Sequence, residues 1–124
     1  MKGTKYTKEH EWIRFDDDYA FVGITEFAQK QLGDVVFVQL PEIGSEFKVG
    51  DEAAVIESVK AASEVYAPIS GKILDTNSEL IEKPEIVNSD AENEGWIWKM
   101  SIENFKQTDD LMDKSKYLDF ISEE

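Results

Sequence analysis

Few residues in this chain have chemistry to offer. One of them, Lys60, sits in the stretch Glu57-Ser-Val-Lys-Ala-Ala-Ser-Glu-Val-Tyr-Ala-Pro-Ile-Ser-Gly71, and no other lysine or arginine occurs between Lys48 and Lys72. A lysine amine on its flexible stem forms a stable amide that removes its charge and adds reach, so an isolated lysine is a candidate attachment point for a carried group. On composition alone it reads as an ordinary surface lysine. His10 is the sole histidine, so a histidine metal cluster or a two-histidine proton relay has no second member. Beside Glu11 and Trp12 it reads as a structural or surface histidine. Asp16-Asp17-Asp18 and Asp109-Asp110 lack the spacing of a calcium loop and read as solvated loops. The chain has no cysteine, which removes disulfides, a thiol nucleophile and thiolate metal sites. Its glycines form neither of the phosphate-cradling patterns. No catalytic residue and no metal site is expected, and a chain so short of reactive groups suits a protein that carries a group made elsewhere.

The rest of the composition agrees with a small folded carrier. A length of 124 residues predicts one domain over 1–124 with a hydrophobic core of its own. Apolar content of 41%, with seven Phe, four Tyr and three Trp, argues for a globule rather than a disordered acidic chain. The net charge of -14 repels nucleic-acid backbones and anionic membranes. It equally serves solubility and attraction to basic faces of partner proteins. The start, MKGTKYTKEHEW, has neither the apolar run of a signal peptide nor the arginine-rich character of a transit peptide. No apolar segment is long enough to span a bilayer. The expectation is a soluble cytoplasmic protein.

These candidates need elements to hold them. Glu11–Phe15 and Tyr19–Ile24 are rich in aromatic and β-branched residues and read as strands joined by Asp16–Asp18. Thr25 to Gly33 reads as a short helix on the sheet, with Thr25 as N-cap and Gly33 as stop. The unbroken apolar run from Asp34 to Leu40, ended by Pro41 and Gly44, predicts a strand buried on both faces. Lys72–Thr76 and Trp96–Ile102 are further strands. Asn77–Glu94 reads as a long loop with one helical turn at Glu79–Glu82. From Glu103 the pattern is helical, with Leu111, Tyr117, Leu118, Phe120 and Ile121 toward the body and Glu123 and Glu124 fraying into water.

Around Lys60 the local signals conflict. Val55, Val59, Ala62 and Tyr66 recur at four, three and four residues, a helical stripe that local pattern slightly favours. Alternation fits as well, with Val55, Glu57 and Val59 on one side. Gly50 lies ten residues before Lys60 and Gly71 eleven after, as if each arm were a strand and Lys60 the fold between them.

Motifs along nearly the whole chain resemble one family. Tyr6-Thr7 and His10-Glu11-Trp12 are followed by Val22-Gly-Ile-Thr25 with Ala28-Gln29, then by Leu32-Gly-Asp-Val-Val-Phe-Val38 with Leu40-Pro41. Glu57-Ser-Val-Lys-Ala61, Pro68-Ile-Ser-Gly71, Val87-Asn88 and Gly95-Trp96 complete the set. In order and spacing these resemble the H-proteins of the glycine cleavage system, which are lipoyl carriers. The resemblance implies a mainly β fold, the lipoyl/biotinyl barrel-sandwich hybrid of two antiparallel sheets. Short helices are then expected near 25–32 and at the C-terminus (about 104–122), with a hairpin over about 52–67 bearing Lys60.

By the same resemblance, lipoate is the cofactor, amide-linked to Lys60, and the chain is a non-catalytic shared substrate. A pyridoxal-phosphate glycine decarboxylase (P-protein) loads an aminomethyl group on the lipoyl sulfur with loss of carbon dioxide. An aminomethyltransferase (T-protein) passes the one-carbon unit to tetrahydrofolate and releases ammonia. A dihydrolipoyl dehydrogenase (L-protein) reoxidises the dithiol, and a lipoate ligase or a lipoyl/octanoyl transferase attaches the group. A carried amine hydrolyses in water, so a cleft on the barrel is expected to shelter the arm. Glu11, with His10 beside it, is the candidate lining, Glu11 as anionic partner of the aminomethyl ammonium. Where such proteins tend to show a Pro-Tyr-Gly-like turn, this chain has Ser89-Asp-Ala-Glu-Asn-Glu94, so the shape of that loop is not implied. Two other carrier readings stand beside this one. A lipoyl donor or relay of H-protein type would share the attachment motif, whereas biotin carriers favour Met on both sides of the lysine, unlike Val59 and Ala61.

Overall fold

The computed structural model describes residues 2–123. Two antiparallel sheets face one another. The larger contains β1 (Lys2–Tyr6), β2 (Glu11–Asp16), β3 (Tyr19–Ile24), β5 (Glu46–Phe47), β8 (Gly71–Thr76) and β9 (Trp98–Ser101), in the order β1-β2-β3-β9-β8-β5. The smaller is β4 (Val35–Gln39), β6 (Glu52–Ser58) and β7 (Ala62–Tyr66), in that order. This is the barrel-sandwich hybrid of lipoyl and biotinyl carrier domains. Its core lies between the sheets, where Ile13, Val22, Val38, Ile56, Val65, Ile73 and Met100 are all at most 1% exposed.

Strand β2 is buried on both sides. Ile13 enters the inter-sheet core, while Trp12 joins a second cluster with Tyr6 and Tyr117. That second cluster is roofed by helix α4 (Lys114–Ser122) and by the loop after helix α3 (Ile86–Ser89). The loop is well anchored: the Trp12 indole N–H donates to Ala91 O at 2.8 Å, and the Glu92 carboxylate accepts from the Glu26 N–H at 2.9 Å. Residues 89–94, whose shape the sequence left open, thus tie β2 to the start of helix α1 (Glu26–Leu32).

Several expectations need correction. Residues 54–66 form the β6–β7 hairpin and no helix, because β6 is paired on both sides, with β4 and with β7. Strand β4 is not buried on both faces. It is the edge of its sheet, with an irregular register between Val35 and Phe37, and Val36 and Phe37 are 54% and 45% exposed. The long loop holds two short helices, α2 (Glu79–Glu82) and α3, instead of a single turn. The C-terminal helical stretch is interrupted: a 3-10 turn (Phe105–Asp110) ends before α4, and between them Met112 exchanges backbone hydrogen bonds with Tyr6, both 2.8 Å. On α4, Tyr117 is buried as expected, but Leu118 is 50% exposed. Glu123 is exposed, and Glu124 lies outside the described residues.

Candidate functional site

Lys60 lies in the turn between β6 and β7 and is exposed. The turn is held by one side chain, since the Ser58 hydroxyl oxygen accepts from the Lys60 and Ala61 N–H groups, both at 3.1 Å. Ser58 N–H closes the turn on Ala61 O at 2.8 Å. A second tether comes from outside the hairpin, where Val59 N–H donates to Asp34 O at 3.0 Å. The lysine backbone is therefore fixed although its amine is free to be reached.

The α1–β4 connection forms a seat for the lysine stem. Helix α1 starts at the Thr25 cap, whose hydroxyl accepts from Ala28 N–H, and stops at Gly33 with φ of 84°. Glycine is suited to that left-handed backbone. A Cβ added there would stand 3.2 Å from Lys60 Cε, tighter than ordinary contact, so the bare Cα leaves room that the stem occupies. Asn88 braces the seat, donating to Gly33 O and accepting from Val35 N–H.

Beside the outgoing hairpin arm opens a cleft of about 610 Å³. One wall is Ala61–Glu64, another is α1 through Phe27, Ala28, Gln31 and Leu32, and the end wall is Glu9, His10 and Glu11. Among the described residues, three carboxyl groups and no lysine or arginine line it. The structure thus brings Glu11 and His10 together at the cleft and places Lys60 at the end of the arm that forms its side.

Glu11 is 2% exposed, with Oε1 accepting from the Thr7 hydroxyl at 2.7 Å and Oε2 from Tyr66 N–H at 3.1 Å. It thereby joins β2 of one sheet to β7 of the other. Burial raises its pKa from 4.5 to about 7, against the lowering effect of the Thr7 and Tyr66 hydrogen bonds. A folded-state pKa above the unfolded one means that the folded protein holds the proton more tightly. The resulting stabilisation is fully present below about pH 4.5 and is lost as pH rises through about 7. The difference is on the order of 3 kcal/mol. Glu11→Gln, neutral throughout and of the same shape, is expected to flatten stability across this window and to exceed the wild type at pH 8. Urea titrations at pH 4, 6 and 8 measure it, and parallel pH profiles for the two proteins would contradict it.

His10 takes φ of 68°, a left-handed conformation that histidine adopts more readily than most residues. Its ring packs on Phe27 at 4.8 Å between centroids, and Nδ1 is 2.9 Å from the Tyr117 hydroxyl. It is a structural histidine, as its neighbours suggested, and it also walls the cleft. Sequence reasoning did not find Phe27, Ser63 or Glu64 as lining. The period-2 alternation of 62–66, had the strand been chosen, would have put Ala62 and Glu64 on one face together.

A rigid two-sheet scaffold that presents one lysine at a hairpin turn beside an acidic, half-apolar cleft defines a carrier domain. The profile of the family described as Glycine cleavage H-protein matches residues 4–124. A glycine cleavage system H protein of Thermotoga maritima is 53% identical over 124 residues, covering 100% of both chains. Another, from Parvibaculum lavamentivorans, is 50% identical over 121 residues, covering 98% of this chain and 97% of its own. The crystal structure of a glycine cleavage system H protein from Mycobacterium marinum superposes with a TM-score of 0.85 at 31% identity, covering 98% of each chain. The chain belongs to the glycine cleavage H-protein family, and a lipoyl-carrier role in the glycine cleavage system follows from that membership.

Proposed function

We propose that Lys60 is the residue that bears lipoate, and that the chain is a carrier with no turnover of its own. The observation that supports this best is the fit of the tip to the group: a solvent-exposed amine on a pinned turn, its stem lying over a glycine where a Cβ would intrude. When bound, lipoate supplies the dithiol redox and sulfur-transfer chemistry that this cysteine-free chain lacks. The protein's own contribution is placement. Ser58 and Asp34 hold the turn, so an attaching enzyme meets a preset backbone and loses little freedom on binding.

The cleft gives shelter. Phe27, Ile24 and Leu32 supply apolar surface that excludes water, while Glu9, Glu11 and Glu64 set a negative potential suited to a carried ammonium. Glu11 keeps a second lone pair on each oxygen after its bonds to Thr7 and Tyr66. An arriving cation favours its ionised form, so seating the cargo draws a proton off Glu11 at neutral pH. His10 fixes the cleft's end wall through Phe27.

The partners that follow are the glycine decarboxylase, the aminomethyltransferase, the dihydrolipoyl dehydrogenase and a lipoate-attaching enzyme. A chain with charge -14 approaches them by electrostatic steering, with association that weakens as salt rises. Among the described residues no helix is long and apolar enough to cross a membrane, and we place the carrier in the cytoplasm. Reconstitution tests the reading. The lipoylated protein, mixed with the three enzymes, is expected to sustain glycine-dependent carbon dioxide release at catalytic carrier concentrations. If it accepts lipoate yet sustains no turnover while donating lipoate to other proteins, the relay role replaces this one.

A further inference from the structure

The geometry points to Tyr117, on the C-terminal helix, as a positioning residue of the cleft: its hydroxyl ties together the two walls that would enclose the carried amine. The inference rests on the cleft reading above and extends it to a helix that belongs to neither sheet.

Tyr117 is 3% exposed, and its hydroxyl stands 2.6 Å from Thr25 Oγ1 and 2.9 Å from His10 Nδ1. Each partner governs one wall. Thr25 caps α1, the helix that supplies Phe27, Ala28, Gln31 and Leu32 to the cleft. His10 forms the end wall and stacks on Phe27. The two walls are also joined by Thr25 N–H donating to His10 O at 3.0 Å. Tyr117 thus bonds the side chains of a pair whose backbones already touch.

His10 needs such support. A non-glycine residue in the left-handed region persists where its surroundings over-determine it. Its backbone is held by its N–H donating to Thr7 O at 3.2 Å and by its O accepting from Thr25 N–H at 3.0 Å, and its ring packs on Phe27 and Phe120 and reaches the Tyr117 hydroxyl through Nδ1. The hydroxyl also links the imidazole tautomer to the Thr25 hydroxyl. If Tyr117 donates to Nδ1, the ring proton sits on Nε2 and Thr25 donates to Tyr117. If Nδ1–H donates instead, the Tyr117 proton is released to point at Thr25. Either way, one hydroxyl couples the polarity of His10 to the cap of α1.

Helix α4 spans nine residues, too short to be stable alone. It is held by the stacking of Tyr117 on Tyr6, 4.8 Å apart and 11° from parallel, and by the Met112–Tyr6 bridge just before it. Whatever loosens α4 therefore loosens the cleft from behind, through the lining residue His10 and the Thr25 cap.

Tyr117→Phe tests this by deleting one oxygen while keeping the ring. Tyr6→Phe is the control, because it removes a hydroxyl from the same buried cluster whose bond goes to Glu92, and Glu92 keeps its bond to Glu26 N–H. Two readouts are taken. In the unlipoylated protein, the long-range proton–nitrogen spectrum of the imidazole is unambiguous, since His10 is the only histidine. Tyr117→Phe is expected to shift both ring nitrogens toward a mixture of tautomers, and Tyr6→Phe is expected to leave them in place. In the lipoylated protein loaded by the decarboxylase, Tyr117→Phe is expected to shorten retention of the cargo amine roughly two- to tenfold, the worth of one net hydrogen bond. Tyr6→Phe is expected to retain it as the wild type does.

Unchanged imidazole signals and unchanged retention in Tyr117→Phe would overturn the inference, as would equal losses in the two variants. If the wild type itself retained its cargo no longer than free lipoamide does, the cleft reading would fall and this one with it. If the wild type and Tyr117→Phe protected equally while Glu11→Gln did not, only the role of Tyr117 would fall.

Discussion

Lys60→Arg is expected to reduce carrier function to the level seen with no carrier present, without disturbing the fold. Arginine keeps the positive charge and most of the stem, but its guanidinium stays protonated and offers no amine for amide formation. The substitution is structurally mild because the side chain is exposed and the turn is held by backbone bonds to Ser58 and Asp34. Exposed substitutions of this kind change stability by about 0.5 kcal/mol or less. Wild type and variant should therefore melt together, yet only the wild type should support glycine cleavage after treatment with a lipoate-attaching enzyme. Measured as glycine-dependent carbon dioxide release, the loss should be complete within error. Residual turnover well above the carrier-free reaction would mean that another lysine carries the group.

The largest expected effect on the fold comes from Gly71→Ala. Gly71 opens β8, and it faces Phe47 in β5 on one side and β9 on the other. A Cβ there would overlap the Ser101 carbonyl oxygen and come within 3.2 Å of Met100 Cε. The carbonyl belongs to the sheet backbone, so the strain can be relieved only by parting β8 from β9. The neighbouring residue is equally fixed, since Ser70 N–H donates to Gln107 Oε1 at 2.7 Å and Ser70 Oγ accepts from Val49 N–H and Gln107 Nε2. We expect a loss of about 3 kcal/mol or more, a large share of the 5–15 kcal/mol typical of a domain. Thermal unfolding should show it as a fall of roughly 10 °C. A fall of only a degree or two would show that β8 and β9 separate cheaply, and that the hairpin's exit is less firmly anchored than it looks.

How much of this was readable beforehand depended on whether the deciding contacts were local. Strands β2 and β3 and helix α1 announce themselves through neighbouring residues: the aromatic and β-branched runs, the Thr25 cap, the Gly33 stop. The lysine hairpin does not, because Val55, Val59, Ala62 and Tyr66 satisfy a helical stripe as well as an alternation. What selects strand is the pairing of β6 with both β4 and β7, a tertiary fact that overrides local propensity. The motif resemblance carried that information where periodicity could not.

The exposure of Val36 and Phe37 was hidden for a related reason. An apolar run looks the same in a central strand and in a bulged edge strand. Strand β1, Lys-Gly-Thr-Lys-Tyr, has almost no strand signal of its own and exists because β2 offers it an edge. At the site, Lys60, Glu11 and His10 stood out by type and motif. Tyr117 could not have been linked to His10, because the two are 107 residues apart and no spacing rule joins them.

The central claim is that one amine among many is presented for attachment. The chain has 13 Lys and Arg in total, and Arg14 is the single arginine, which leaves 12 lysines. The direct measurement is the intact mass of the wild-type protein after incubation with a lipoate ligase, ATP and lipoate, followed by peptide mapping of the product. The account predicts a single lipoyl addition per chain, found only on the peptide containing residue 60. Addition at another lysine, several additions spread over the surface, or none at all would contradict it.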